Sequence, residues 1–437
     1  MSSILRKANI GWEAEFFVLD HDGHIINEAG KLLNILKKEN FSHARKEISK
    51  TMIELSSKPY RTVTETSAAF LDRLEDLVRL AEKYNYRLLP LGTYPGKTNP
   101  KLNRTSWYKA KKYVLGKENV VKEASICGYH FHYTLPERIV KKELVKVLRR
   151  SHALNVFLNQ YNFLIAADPA AITFCQSSPF WQGEQYAKDC RVLIYRDFAV
   201  NDYSTVRGIH YYLPLFGALP NYEFTLEDLR VMADRRKTEW IKLLQKQRFN
   251  KLVDIMAVPA LKFMWGPVRV NKIGTFEYRG SDMNYPAYTM ALAALFRYAL
   301  EAIENQGFKI APSDLGNTKP FLLEDETIYV PSYSHVRHFE YLSTMHGLEA
   351  SAVYNYCKRL LVLVDKISER SKRSSFLKPI RDIIRERKTV SDQILDLTVK
   401  NGYSKGEPIS AELANYTALY YSDLLNKEIE RAKKLCL

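Results

Sequence analysis

An α+β fold is predicted for this 437-residue chain from three observations. Short segments alternate apolar and polar residues with the strand period of two, helical patterns lie between them, and the strand signal fades after about Asn305. This order describes a sheet domain with intervening helices over residues 1–310. A helical region over 311–437 is expected to pack against it.

Four segments carry the strand pattern. Ile10–Asp20 puts Gly11, Glu13 and Glu15 on one face and Trp12, Ala14 and Phe16 on the other. Asp20–Gly23 (DHDG) supplies turn residues, and HIIN after it could begin a return strand. Ser125–Leu135 sets Gly128, His130, His132 and Thr134 opposite Cys127, Tyr129, Phe131, Tyr133 and Leu135. Gly274–Asp282 sets Thr275, Glu277 and Arg279 opposite Phe276 and Tyr278. Thr51–Ser57 sets Met52, Glu54 and Ser56 opposite Ile53 and Leu55.

Helical spacing appears at Ser67–Tyr84, with Phe70, Leu71, Leu74, Leu77, Val78 and Leu80 on its apolar stripe and Thr66 or Ser67 as N-cap. Glu137–Ala166 reads as one long helix or two joined ones, ending before Asp168-Pro169. Leu226–Arg248 and Pro286–Asn305 are further helices, the latter with Pro286 in its first turn. Segments near Glu340–Ser368, Leu377–Asn401 and Ser410–Leu435 make up the helical tail.

A hydrophobic fraction of 46%, with 12% aromatic, supports a large core. The most apolar helix-like run, Tyr288–Ile303, carries Arg297 and Glu301 and is too short to span a membrane. No secretory leader is expected. Cys127, Cys175, Cys190, Cys357 and Cys436 show no CxxC spacing, so free thiols in a reducing, cytoplasmic setting are expected. The formal charge of +16 would suit nucleic acid or small anions such as nucleotides. Its densest stretch, Lys366–Lys388, mixes in Asp and Glu at helical spacing, as a solvated helix face does. The aromatic residues lie opposite the polar strand faces, so nucleic acid is not the expected partner.

The polar faces decide the chemistry. They offer Glu-x-Glu, His-x-His and Glu-x-Arg, each backed by large apolar side chains. Glu13 and Glu15, roughly 7 Å apart along a strand, repel each other and are costly to enclose. Divalent cations remove that cost, and carboxylates with some imidazole suit magnesium or manganese. Taken singly, each piece has a plainer reading: a solvated strand face for Glu13 and Glu15, a zinc or structural pair for His130 and His132, a surface ion pair for Glu277 and Arg279. Glu54 alone says almost nothing. Four strands with ionisable groups on one face form a less ordinary pattern. No GxxxxGK[ST] loop follows any strand, so a nucleotide would be held through metals and arginines. Ser178, followed by Pro179 and without a neighbouring base, reads as a turn residue and not a nucleophile.

The motifs resemble those of the second family of glutamate–cysteine ligases, a group of carboxylate–amine ligases. Gly11–Glu15 matches its Gly-x-Glu-x-Glu strand. Glu47 and Glu54, before Ser57-Lys58-Pro59, match its paired acids, and Gly92-Thr93-Tyr94-Pro95 matches a Gly-Thr-His-Pro motif with tyrosine in place of histidine. Gly128–His132 is the Gly-x-His-x-His strand, and Ser178–Gly183 the Ser-Pro-Phe-Trp-x-Gly motif followed by Arg191. Trp265, Arg269 and Gly274–Asp282 complete the order. The resemblance covers roughly residues 8–310 and is weaker in the tail.

It implies a glutamine-synthetase-like curved antiparallel sheet forming an active-site funnel flanked by helices, with ATP at one end and amino acids at the other. It also implies phosphorylation of a glutamate side-chain carboxylate, then attack by cysteine or another amine, a reaction of glutathione biosynthesis. Carried over by motif, Glu13, Glu15, Glu54, His130 and Glu277 are metal ligands for Mg2+ or Mn2+. His132, Arg269 and Arg279 face the nucleotide, and Glu277 and Arg279 are the catalytic pair. Arg191, Glu47 and Tyr94 face the substrates, with Glu47 on a metal or the incoming amine. The tyrosine at position 94 leaves the acceptor open, and a decayed nucleotide- or metal-binding relative is the alternative. Helical tails often join subunits, so a homodimer is a further expectation.

Overall fold

The computed structural model describes residues 8–135, 152–199, 206–250 and 252–437. Its main sheet is antiparallel and holds β1 (Ile10–Leu19), β2 (Ala44–Lys46), β3 (Met52–Ser56), β4 (Arg87–Leu89) and β5 (Gly128–Thr134). A two-residue pair, β6 (Phe180–Trp181) and β7 (Glu184–Gln185), stands apart from it. β8 (Val268–Asn271) and β9 (Thr275–Asp282) complete the main sheet, in the order β2-β3-β1-β5-β9-β8, with β4 on the far end of β1. All four alternating segments are therefore strands, and they are mutual neighbours. The expected return strand after Gly23 is reduced to a single bridge between Leu19 and Ile25.

The apolar face of this sheet is buried on helices. Trp12, Phe16, Tyr129, Phe131, Phe276 and Tyr278 are at most 1% exposed. Against them lie helices His152–Cys175 and Pro286–Gln306, which are buried almost all round. A helix without a polar face can exist only inside a protein. Pro286 does occupy its helix's first turn, and Gly307 closes the helix in the left-handed region at φ 74°.

Two helix boundaries differ from expectation for identifiable reasons. The helix expected from Ser67 begins at Val63, because Thr62 and Glu65 form a reciprocal capping box. The helix expected to stop before Asp168-Pro169 continues to Cys175. Proline removes a hydrogen bond there, but the Tyr356 hydroxyl donates to the nearby Ala166 carbonyl and Asp168 is held by Arg196 at 2.6 and 2.8 Å. The part of that helix expected from Glu137 to Ser151 lies outside the described residues.

The tail is helical as expected, with each predicted segment divided in two: Tyr333–His346 and Ser351–Ile367, Lys378–Glu386 and Val390–Lys400, Ala411–Asp423 and Leu425–Lys433. It is not wholly helical. β10 (Lys309–Pro312), β11 (Leu322–Glu324) and β12 (Thr327–Val330) form a small mixed sheet ordered β10-β12-β11. Strands of three or four residues are too short for alternation to register. One continuous apolar core runs from Ala8 to Leu435 and joins sheet and tail.

Candidate active site

Strand register assembles the polar face into one row. Glu54 on β3 lies directly across from Glu15 on β1, and Glu13 lies across from His130 on β5. His132 lies across from Glu277 on β9, and Glu277 across from Arg269 on β8. Directly opposed residues on one face are about 5 Å apart. Five strands thus bring carboxylate, imidazole and guanidinium groups together. A one-residue slip in any strand would turn its share to the core.

The row has two poles. At one, oxygens of Glu15, Glu47 and Glu54 lie within 4.8 Å of one another. Among the described residues these three make no ion pair with lysine or arginine, and only His130 approaches Glu15, at 3.8 Å. Burial, and then Glu15 and Glu54, push the Glu47 carboxyl well up. Burial, with Glu13 and Glu15, lifts Glu54 to about 7. At the other pole, ligand atoms of Glu13, His132 and Glu277 lie within 4.8 Å. Burial raises the Glu277 carboxyl, but Arg269, His132 and Arg279 outweigh it and hold the group at about 2. Burial also opposes the charge on Glu13, yet His130 and His132 bring that carboxyl well below the usual range.

This face opens into a cavity of about 290 Å³, lined also by Trp107, Tyr108, Lys111, Glu123, Arg191, Tyr195, Lys262 and Trp265. Its far wall is aromatic. Trp107 and Tyr108 come from helix Ser106–Leu115, Trp265 follows the short turn Ala260–Phe263, and Trp240 packs on both tryptophans from behind. Lys111 pairs with Glu123 and sits 4.4 Å over Trp265, while Lys262 sits 4.4 Å over Trp107. These wall residues were not foreseen, apart from Trp265 and Arg191. They lie on short helices whose approach to the sheet is set by tertiary packing, and the four-residue spacing of Trp107 and Lys111 was the one available signal.

The family model for glutamate–cysteine ligase family 2 matches residues 9–412, most of the chain. The chain belongs to glutamate–cysteine ligase family 2. Among curated relatives of that type, a protein provisionally named glutamate–cysteine ligase 2-3 from Rubrobacter xylanophilus is 24% identical over 325 residues, 74% of this chain and 70% of that one. A provisionally named glutamate–cysteine ligase 2 from Roseiflexus castenholzii is 25% identical over 153 residues, a match that spans about a third of each protein (35% and 36%). Two solved structures share the fold at 12% identity. One is a bifunctional glutathione synthetase from Pasteurella multocida, with TM-score 0.58, covering 96% of this chain and 52% of that one. The other is a glutamate–cysteine ligase from Francisella tularensis in complex with AMP, with TM-score 0.52, covering 98% and 92%. The antiparallel sheet flanked by helices that was expected from the motifs is the architecture this family 2 chain has, and it shares its fold with these two ligases.

The donor set fits divalent cations. Three enclosed carboxylates, without a lysine or arginine partner among the described residues, form one pole. At the other, His132 Nε2 is buried with no hydrogen-bond partner among the described residues, and Glu13 Oε2 lies 3.7 Å away. His132, expected toward the nucleotide, thus stands with the metal-type donors, and so does Glu47, expected toward a metal or the incoming amine. His130 lies between the poles, 3.3 Å from Glu13 Oε2. Arg269 gives both Nε and a terminal nitrogen to Glu277, each at 2.8 Å, so it orients that carboxylate. Arg279 contacts Glu277 at 3.5 Å and keeps a buried Nε without a hydrogen-bond partner among the described residues. Tyr94 is not in the cavity lining. Its hydroxyl donates to the Gly23 carbonyl and to Asn415, tying the Gly92–Gly96 loop to helix Ala411–Asp423.

Proposed function

We propose that this chain is an ATP-dependent carboxylate–amine ligase that joins glutamate to cysteine through a γ-glutamyl phosphate. The observation that carries the reading is the row Glu54, Glu15, Glu13, His130, His132, Glu277 across four strands, ending in Arg269 and flanked by Arg279. A bound divalent cation, magnesium or manganese, would neutralise the two acidic poles and polarise phosphoryl oxygens there.

The remaining work falls to the chain's own side chains. A glutamate carboxylate oxygen attacks the terminal phosphorus of ATP, and the bond to ADP breaks. Charge gathers on the transferring oxygens, and Arg279, charged and beside Glu277, is the guanidinium available to meet it. Arg269 fixes the Glu277 carboxylate through two parallel hydrogen bonds. The amine nitrogen of the acceptor then attacks the acyl carbon, phosphate leaves, and the nitrogen gives up a proton. Arg191 makes no carboxylate ion pair among the described residues and suits a substrate carboxylate. The aromatic wall keeps water from the acyl phosphate. A cytoplasmic setting agrees with five free cysteines, four of them buried, and with the absence, among the described residues, of any helix long and apolar enough to cross a membrane.

The test is ADP release from purified protein supplied with ATP, magnesium and glutamate, with and without cysteine. The expected outcome is release that requires both amino acids. Release with glutamate and a different amine moves the acceptor. Absence of release with every acid and amine pairing overturns the ligase reading.

A further inference from the structure

Four motif residues have no part in the chemistry above: Gly92, Gly128, Ser178 and Asp282. They come from four separate stretches of the chain, and all converge on Arg191. The Asp282 carboxyl accepts from the Ser177 backbone N–H at 2.8 Å and from the Ser178 hydroxyl at 2.7 Å. The same Ser178 oxygen accepts the Arg191 backbone N–H at 3.2 Å. Asp189 caps the short helix Cys190–Tyr195 that carries Arg191, accepting the Val192 N–H at 2.7 Å. The Arg191 guanidinium then donates to the Arg279 carbonyl at 3.2 Å. Both ends of this circuit lie on β9, the strand of Glu277 and Arg279.

The glycines make the circuit possible. A Cβ at Gly128 would overlap the Arg191 guanidinium, and a Cβ at Gly92 would overlap the Asp282 carboxyl. Asp282 and Ser178 are 0% exposed and Arg191 is 5% exposed, yet Arg191 Nε has no hydrogen-bond partner among the described residues. A buried guanidinium with unused donors is unstable alone and is completed by an anion. Asp189 and Asp282 are close enough to influence it, but neither reaches ion-pair distance among the described residues; one oxygen of each is held by the Ser177–Ser178 turn or the helix cap, and the other has no hydrogen-bond partner there.

We propose that Asp282 and Ser178 are positioning residues. Through this circuit they hold Arg191 over Gly128, where its guanidinium takes the non-reacting carboxylate of the acid substrate. The inference rests on the ligase reading and adds to it the residues that set affinity for the acid.

Steady-state kinetics on Asp282→Ala, Ser178→Ala, Arg191→Ala and the Asp282→Ala/Arg191→Ala double variant test it. Asp282→Ala and Ser178→Ala are each expected to raise the KM for glutamate by about 10-fold, the scale of one lost hydrogen bond to a charged group, and Arg191→Ala by at least as much. The KM for ATP stays put. The double variant is expected to be no worse than Arg191→Ala, because Asp282 acts only through Arg191. Asp282→Asn still accepts from Ser178 and Ser177, so it recovers most of the affinity lost in Asp282→Ala. Additive effects in the double variant, or a fall in kcat with KM unmoved, would overturn the assignment.

A second readout does not need turnover. Phenylglyoxal labelling, read by peptide mass, should modify Arg191 several-fold faster in Asp282→Ala than in the parent, with Arg269 unchanged. Equal Arg191 labelling overturns the positioning role even if the protein proves to have no ligase activity. Faster labelling in a protein without glutamate-dependent ADP release supports the circuit and rejects the ligase reading.

Discussion

At the residue scale, the acidic pole gives the most direct test of the cation reading. Glu15 accepts the Gly128 N–H at 2.6 Å with one oxygen, its other oxygen lies 3.8 Å from His130 Nε2, and its carboxylate groups with Glu47 and Glu54. Glutamine keeps the shape and the acceptor for Gly128 but loses the charge, so Glu15→Gln should retain the parent's thermal midpoint. Its magnesium-dependent turnover should fall about 100-fold, the scale of a disturbed metal site. Unchanged turnover would sink the cation assignment. Tyr94 makes the opposite case. Tyr94→Phe removes the bonds to Gly23 and Asn415 and should lower stability by about 1 kcal/mol while leaving the KM for glutamate unmoved. A several-fold rise in KM at constant thermal midpoint would return Tyr94 to the substrate site. The donors were legible in sequence because alternation puts them on one face. Their sorting into two poles was not, since pairing register depends on which strands become neighbours.

At the element scale, regular strands and long helices could be read, while the pieces that cover the site could not. The Ser106–Leu115 helix and the Ala260–Phe263 turn have little periodicity of their own; they are held by contacts among Trp107, Trp240, Phe263 and Trp265. The helix through Pro169 shows the same limit, because local propensity predicted a stop that burial overrides. The wall also carries a pH dependence. His210 packs edge-on to Tyr195, has a buried Nδ1 without a hydrogen bond, and fills the space a Cβ at Gly217 would need. Burial first, then Lys111, Arg236 and Arg279, depress its pKa to about 3. The unfolded chain, with an ordinary imidazole near 6.5, therefore binds the proton first as pH falls. The stability contribution is complete above about pH 6.5 and is lost progressively toward 3, by roughly 2–3 kcal/mol between pH 7 and 4.5. His210→Asn removes that dependence, so its thermal midpoint should fall less steeply over this range than the parent's. Parallel slopes would show that His210 is not buried in its neutral form.

At the scale of the whole molecule, the division into a sheet domain and a helical tail is one of sequence pattern, while the packing is continuous. Helix Pro286–Gln306 presses one side on the sheet and the other on the tail, with Leu292, Leu295, Phe296 and Leu300 fully enclosed. Stripping residues 311–437 would expose that second side, and a helix apolar all round has no soluble form by itself. Unfolding should therefore be a single event. The tryptophans provide the means to check it, since Trp12, Trp107, Trp181, Trp240 and Trp265 all precede the tail. Urea unfolding followed by tryptophan fluorescence reports the sheet region alone, whereas far-UV circular dichroism also reports the tail helices. Coincident midpoints and slopes are expected for one cooperative unit. Circular dichroism that falls at lower urea than fluorescence would mean that the tail melts while the sheet persists. The shared core would then be divisible, and the sheet with its row of donors would stand without the helices that now back it.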